Sequence, residues 1–403
     1  MSDDVALTTP AEASSTASVR FALALYATLR IALSTVAALG YIFLPPLMPA
    51  DVIQRLSLGI ESITGPLAGP LLGAWQRWDT LWYLLIATRG YALHDTSVFA
   101  PPLYPMLMRL AGDVLGGQYL LGGLIVSNVA YVLALWLFYR LTAWELDEAT
   151  ARRSVLYLAL FPTAFFFLAG YSESLFLLFS VASFYAARCA GRARRGQWDL
   201  AGAAGLLAGV ARLQGFLLLI PLAVEYVRQR GLSRRLLSWD LLGLAAVPLG
   251  MIAFMTYVYG IVGADSPLAP FLVHSQRVHG GLTWPGQALW DGVWVIVTGQ
   301  FFYADVLDLA AVLLFIVLTV AALRRLPLTY GVYMAVSLWV ILSKTGVPQP
   351  LESVSRLVLP LFPGFMVLGL WGRNPWIHRL ILYPSILLLL VLTGIFAAWG
   401  WVA

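Results

Sequence analysis

Cysteine is all but missing from this chain: Cys189 is the single one in 403 residues. That excludes an intramolecular disulfide and any thiolate metal site. Lysine is as rare, with Lys344 alone among 25 basic residues. Charge of either sign is scarce, at 11% of residues, where soluble domains carry ~25%. Hydrophobic residues fill 60% of the chain, and a soluble protein of this size could not cover that much apolar surface. Soluble globular, disordered, collagen-like and coiled-coil classes are thereby excluded. Of the few histidines, His274 and His279 are five apart, which does not match a helical i, i+4 ligand pair, so no zinc site is read there.

What is present is a series of apolar runs, each about the ~20 residues a bilayer core requires. They predict an all-α polytopic membrane protein with about eleven transmembrane helices, near 20–44, 118–139, 154–170, 174–189, 199–211, 214–227, 240–262, 305–323, 329–343, 357–372 and 379–401. Residues 1–19 read as a disordered cytoplasmic tail without a basic signal-peptide start, and 20–403 as one integral-membrane domain. The net charge of +5 comes from arginines placed in short loops, such as Arg152 and Arg153, Arg192 to Arg195, Arg234 and Arg235, Arg324 and Arg325. This is a topology signal, not a nucleic-acid footprint: short Arg-rich loops stay cytoplasmic. All of them fall on one side of a multi-pass bacterial plasma-membrane protein with the N-terminus inside and the C-terminus outside. Both flanks of 199–227 are basic, so that stretch must cross twice, as a hairpin turning at Arg212. The outer segments are then 45–117, 263–304 and 344–356. They are aromatic-rich and hold most of the isolated acids, which places any chemistry on the outer face.

Four groups of residues are candidates for that chemistry. The run Trp75-Gln76-Arg77-Trp78-Asp79-Thr80-Leu81-Trp82-Tyr83 sets Asp79, Trp82, Tyr83 and Ile86 on one helical face. An interfacial helix explains the aromatics. It explains Asp79 less well, because a carboxylate near the bilayer is costly and by default functional; desolvation also raises its basicity, as a general base requires. The run Phe99-Ala100-Pro101-Pro102-Leu103-Tyr104-Pro105 reads as a rigid turn, with Tyr104 a candidate for shaping a pocket. In Tyr171-Ser172-Glu173-Ser174, Glu173 is either a solvated turn acid or a second pocket acid. Arg30, Arg212, Lys344 and Arg356 are cations at membrane depth or in outer segments. They form structural salt bridges to Asp79, Glu173 or Glu352, or they hold phosphate, which a guanidinium grips with two parallel bonds. Arg277 joins His274 and His279 in the second large outer segment.

Taken in order, RWDTLWYLLIATRGY, PPLYP, ALFPTAFFFLAGYSESLFLLFS, ARLQG and SRLVLPLFPGF resemble the PIG-V family, over roughly residues 20–375. The family comprises the eukaryotic GPI mannosyltransferase that adds the second mannose and its bacterial homologues, and it belongs to the GT-C glycosyltransferases. The resemblance implies a GT-C-type bundle with short amphipathic helices in a large first outer loop, a lipid-phosphate sugar donor, and Asp79 as the key acid. Two departures stand out. Ala100 and Pro101 occupy the place of two phenylalanines, and Leu213-Gln214-Gly215 that of Pro-Asn-Gly; both bear on the acceptor more than on the reaction.

The expected function is therefore inverting transfer of a hexose, mannose in the family, from a polyprenyl-phosphate sugar to a lipid-linked or envelope glycan. Asp79 is the expected catalytic base. Trp78, Tyr83, Tyr104, Tyr171, Glu173, Arg212, Lys344 and Arg356 are the expected substrate-binding residues. A departing phosphate needs charge stabilisation more than a general acid. The first outer segment has no Asp-x-Asp pair, so neither metal nor another cofactor is expected. Small-residue stretches at 201–205 and 243–246 are expected to let helices approach or to leave clefts for a prenyl chain. A lipid or polyprenol carrier without chemistry, or a structural subunit of an envelope complex, are the rival readings.

Overall fold

The computed structural model describes residues 15–93, 97–193, 197–231, 238–277, 281–344, 346 and 349–402. Eighteen α-helices follow one another without a named strand among those residues. The first part holds α1 (Ser15–Phe43), the short α2 (Ala50–Leu56) and α3 (Ala68–Leu71), then α4 (Asp79–Arg89) and α5 (Leu103–Val114). The central part holds α6 (Tyr119–Glu145), α7 (Glu148–Ala159), α8 (Glu173–Ala193), α9 (Gln197–Ala211), α10 (Leu219–Arg230) and α11 (Asp240–Tyr257). The last part holds α12 (Ala269–Arg277), α13 (Pro285–Val297), α14 (Tyr303–Arg325), α15 (Leu328–Leu342), α16 (Val354–Leu357), α17 (Phe362–Trp371) and α18 (Pro375–Ala397).

Every one of the eleven apolar runs carries helix. Among the described residues, five are long and apolar enough to cross a bilayer alone: 16–43, 119–145, 240–262, 303–325 and 375–397. Of the rest, α8 runs unbroken for 21 residues, and the others are shorter or broken. The 10 residues of α17 rise only ~15 Å, half a bilayer core. Such interruptions are tolerated where the exposed backbone is buried in protein, and residues 362–369 are all buried. The turn after α7 shows the same logic: Phe165, Phe166 and Phe167 are wholly enclosed, and Phe166 and Tyr171 pack against Phe396 of α18.

The small-residue stretches close a contact instead of leaving a cleft. A Cβ on Gly202 of α9 would strike the carbonyl of Gly243 in α11, and one on Gly243 would strike the Trp198 carbonyl. Two backbones meet there, so the stripe cannot be the expected prenyl groove. The run 199–227 does break at Arg212, whose backbone is extended (φ −148°, ψ 148°). A tight 3₁₀ turn follows, and Gly215 sits so close to Ala208 that no side chain fits.

The bundle has two chemically distinct ends. At one, arginines of the basic turns hold buried acids. Arg188 pairs with Glu145 through Nη2 at 2.8 Å and with Glu225 through Nη1 at 2.9 Å. Glu225 also accepts from Arg228, Gln229 and Thr329. Arg153 donates to the Gly369 carbonyl at 2.8 Å. These arginines therefore lock helix ends together, a role beyond the topology they encode. At the other end lie the starts of α4 and α8, the end of α9, the turn before α17 and the end of α18.

Candidate active site

Asp79 is the first residue of α4, and its surroundings are built from four distant parts of the chain. Arg77 anchors the approach. Its Nε and Nη2 donate to the Ala397 carbonyl at 3.1 and 3.0 Å, and its Nη1 donates to the Gly73 carbonyl at 2.6 Å. Ala397 ends α18, so the guanidinium satisfies a carbonyl that the helix cannot and meets the negative end of its dipole. Burial pushes the Arg77 pKa down to about 10. Trp78 then takes φ +51°, ψ −120°, a backbone state that side chains with a Cβ rarely adopt and that surrounding structure must enforce. Here the enforcement is aromatic: the Trp78 ring meets Trp401 edge-on at 4.8 Å and Trp399 at 5.9 Å.

The Asp79 amide donates to Tyr171 Oη at 3.2 Å. Its Oδ2 accepts from Arg356 Nη1 at 2.7 Å, across 277 residues of sequence. The carboxylate side chain is 29% exposed. Instead of a desolvated isolated base, the structure thus shows an ion pair at a cavity wall. Asp79 meets the cavity as the partner of a guanidinium.

Glu173 opens α8, where the helix dipole favours an anion. It is 1% exposed, which overturns the reading as a solvated turn acid. Its Oε1 lies 2.5 Å from Arg212 Nη1 and 3.6 Å from Arg356 Nε, yet neither contact has hydrogen-bond alignment, and both carboxylate oxygens lack a hydrogen-bond partner. Arg356 is thus shared by two carboxylates. Burial works against its charge, Asp79 and Glu173 outweigh burial, and its pKa stands above the usual value. Its guanidinium also lies over the rings of Phe166 and Tyr171, at 5.4 and 5.5 Å.

A cavity of about 320 Å³ opens on these groups. Trp78, Asp79, Tyr83, Arg212, Lys344 and Arg356 line it, as do Phe99, Ala100 and Pro101 of the proline-rich turn. Burial drives the Lys344 pKa down to about 8; Glu352 acts upward and Arg356 and Arg212 downward. Tyr83 donates to or accepts from Ser172 Oγ at 2.9 Å, and its pKa is raised by burial and then by Glu173.

Three expected substrate-binding residues stand behind the wall: Glu173, Tyr104 and Tyr171. Tyr104 is fully buried, donates to the Gly123 carbonyl at 3.1 Å and stacks edge-on against Tyr83 at 4.7 Å. Tyr171 supports the Asp79 backbone from beneath. Arg30 lies apart: it donates to the Leu168 carbonyl at 3.1 Å and covers the Trp75 ring. His274 and Arg277 belong to α12, and His279 falls outside the described residues.

Sequence reasoning missed Gln214 and Trp401 and weighed Glu352 only as an ion-pair partner; all three are on the cavity wall. Gln214 stood in the quoted ARLQG run, and Glu352 is an acid in an outer segment, so both carried a signal. Trp401 carried none. Among the described residues, no group of three or more His, Cys, Asp or Glu is gathered closely enough to hold a metal ion.

The family model described as Mannosyltransferase (PIG-V) matches residues 22–259. GPI mannosyltransferase 2 of Cryptococcus neoformans var. neoformans serotype D, strain JEC21 / ATCC MYA-565, is 32% identical over 119 residues, 27% of this chain and 28% of the relative. The protein of the same name from strain B-3501A gives the same figures. The aligned stretch therefore spans little more than a quarter of these curated relatives. Among solved structures, ArnT from Cupriavidus metallidurans bound to undecaprenyl phosphate covers 88% of this chain and 75% of its own, with a TM-score of 0.50 and 13% identity. An Archaeoglobus fulgidus oligosaccharyltransferase covers 91% and 53%, with a TM-score of 0.43 and 14% identity. At such identity the likeness to ArnT concerns the fold, and it is the GT-C-type membrane fold expected from the sequence.

Proposed function

The chain belongs to the PIG-V mannosyltransferase family, and from that premise we propose that it transfers a hexose, mannose by family precedent, from a polyprenyl-phosphate sugar to a hydroxyl of a lipid-linked or envelope glycan. One observation carries the reading: a single cavity gathers the carboxylate of Asp79 with the cations of Arg212, Lys344 and Arg356, at the end of the bundle opposite the basic turns. By the positive-inside rule that end faces outward. The undecaprenyl phosphate bound to ArnT supports a lipid monophosphate as the donor's leaving group.

The reaction is a single displacement. The acceptor oxygen bonds to the anomeric carbon, the bond from that carbon to the phosphate oxygen breaks, and its electron pair leaves on the phosphate. Lys344, Arg212 and the N–H groups of Arg356 not engaged by Asp79 face the developing charge. Preorganised cations stabilise it without reorganisation at the moment of reaction. Asp79 takes the acceptor proton. Arg356 has a double part: it holds Asp79, and a phosphate entering the cavity competes for it. As the phosphate draws the guanidinium away, the carboxylate recovers basicity. Trp78 and Tyr83 offer ring faces and a hydroxyl to the sugar. No cofactor is invoked.

The test is transfer of labelled mannose from synthetic polyprenyl-phosphate mannose by the purified protein in lipid nanodiscs. It is paired with mass spectrometry of lipids from a deletion strain. Labelled product and a glycan short by one hexose are expected. Binding and transbilayer movement of the donor with no sugar transferred would favour a carrier and overturn the enzyme reading.

A further inference from the structure

We propose that Asp308 and Thr163 are positioning residues that fix Arg356 through the residue just before it. The inference rests on Arg356 as a ligand of the donor phosphate. Asp308 lies within α14, one of the long apolar helices, and is 2% exposed. An acid at that depth is costly and needs a purpose. It does not line the cavity. Its Oδ1 accepts the backbone N–H of Ser355 at 2.7 Å.

From the opposite side, the fully buried Thr163 donates its Oγ1 hydrogen to the Ser355 carbonyl at 2.8 Å. Both backbone polar groups of Ser355 are thus gripped by side chains from separate parts of the bundle, more than a hundred residues apart in sequence on one side. The next residue is Arg356. Its side chain reaches Asp79 over the ring of Phe166, which belongs to the same turn as Thr163.

The segment needs such a grip. Two residues earlier Ser353 sits in the left-handed region at φ 66°, a conformation that persists for a non-glycine only where the surroundings over-determine it. The turn from 353 to 356 follows it directly. The two clamps fix the backbone from which the Arg356 side chain projects toward Asp79. Asp308 holds the N–H of Ser355 and Thr163 holds its carbonyl, so each polar group of that residue is fixed by a different element.

The test measures undecaprenyl phosphate affinity, transfer rate and melting temperature in the full-length protein in nanodiscs. Asp308→Ala, Asp308→Asn and Thr163→Val are made alone and in an Arg356→Ala background. Asp308→Ala and Thr163→Val should each weaken undecaprenyl phosphate about threefold to tenfold, the range of one hydrogen bond. Asp308→Asn should stay within about threefold of the parent, because its amide oxygen accepts the same N–H. In the Arg356→Ala background neither clamp variant should add a further loss, as expected when one residue acts through another. Folded Asp308→Ala and Thr163→Val proteins with parental affinity and rate would overturn the clamp, and so would losses that add in full to that of Arg356→Ala. Should Asp308→Ala not fold, Thr163→Val and Asp308→Asn still decide it. An Arg356→Ala protein with unchanged undecaprenyl phosphate affinity would instead overturn the donor-ligand reading alone; non-additivity in transfer rate then decides the clamp.

Discussion

Replacing Asp79 by Asn separates the two tasks of this carboxylate. The change preserves shape. The backbone amide still reaches Tyr171, at 3.2 Å in the parent, and an amide oxygen can still accept from Arg356, now 2.7 Å from Oδ2. The protein should therefore fold with a melting temperature near that of the parent. Turnover should fall by about 10²–10⁴, the usual contribution of a general base. Donor affinity should move the other way. In the parent an entering phosphate must draw Arg356 from a charged acceptor, whereas in the variant it competes with a neutral one. Hydrogen bonds to charged groups are worth about 1.5–3 kcal/mol and neutral ones about 0.5–1.5. A difference of about 1 kcal/mol corresponds to roughly five-fold tighter donor binding. Transfer of labelled sugar gives the rate, and tryptophan-fluorescence titration with undecaprenyl phosphate gives the affinity, since Trp78, Trp82 and Trp401 line the cavity. Near-parental transfer by Asp79→Asn would refute Asp79 as the base. Weaker donor binding would refute the competition for Arg356.

Other expectations follow from neighbouring groups. Lys344, with its pKa held down to about 8 by burial, is charged below that pH and neutral above it, so undecaprenyl phosphate affinity should fall as pH rises through about 8, and Lys344→Ala should remove that limb of the profile. Arg188→Ala, at the opposite end, leaves Glu145 and Glu225 without their shared partner; breaking such a buried pair costs about 3–5 kcal/mol, to be read as a lowered melting temperature with donor affinity retained. Cys189, within α8 beside the basic turns, should resist a membrane-impermeant thiol reagent in intact cells, and labelling from outside would reverse the proposed orientation.

The sequence made the helices legible because membrane burial leaves a one-dimensional trace: apolar runs, interrupted by arginines. Even the break at Arg212 could be read, since two basic flanks demand an even number of crossings. Span length was less legible. The ten-residue α17 has no need to cross on its own, because its neighbours bury it, and composition does not report neighbours. The site was partly legible. Asp79, Glu173, Arg212, Lys344 and Arg356 stand out as charges in apolar or aromatic settings, and the structure brings them together. Their pairing was not visible, because which carboxylate meets which guanidinium is set by a fold that joins residues 79 and 356. Tyr104 and Tyr171 looked like wall residues but lie one layer behind, holding Tyr83 and the Asp79 backbone. Asp308 did carry a signal, an acid between Leu307 and Leu309 in an apolar run. Its partner is a backbone amide, and no residue type in the sequence advertises that.

The same geometry bears on stereochemistry. Retention would pass through a sugar ester on a carboxylate close to the anomeric carbon, with a second displacement to follow. Glu173 is poorly placed for that, being 1% exposed and absent from the cavity wall. Glu352 is on the wall and acts electrostatically on Lys344, one of the cations proposed to face the phosphate. Asp79 remains, and its Oδ2 is engaged by Arg356, so a phosphate must arrive before the carboxylate is released. At that moment the anomeric carbon is still bonded to the phosphate oxygen. A hydroxyl between Asp79 and the sugar would then be deprotonated as it attacks, and configuration would invert. The product anomer, read by nuclear magnetic resonance or by digestion with anomer-specific glycosidases, should be opposite to that of the donor. Retained configuration, or an Asp79-containing peptide carrying a hexose after donor is supplied without acceptor, would show the carboxylate to be a nucleophile and sink the single-displacement mechanism.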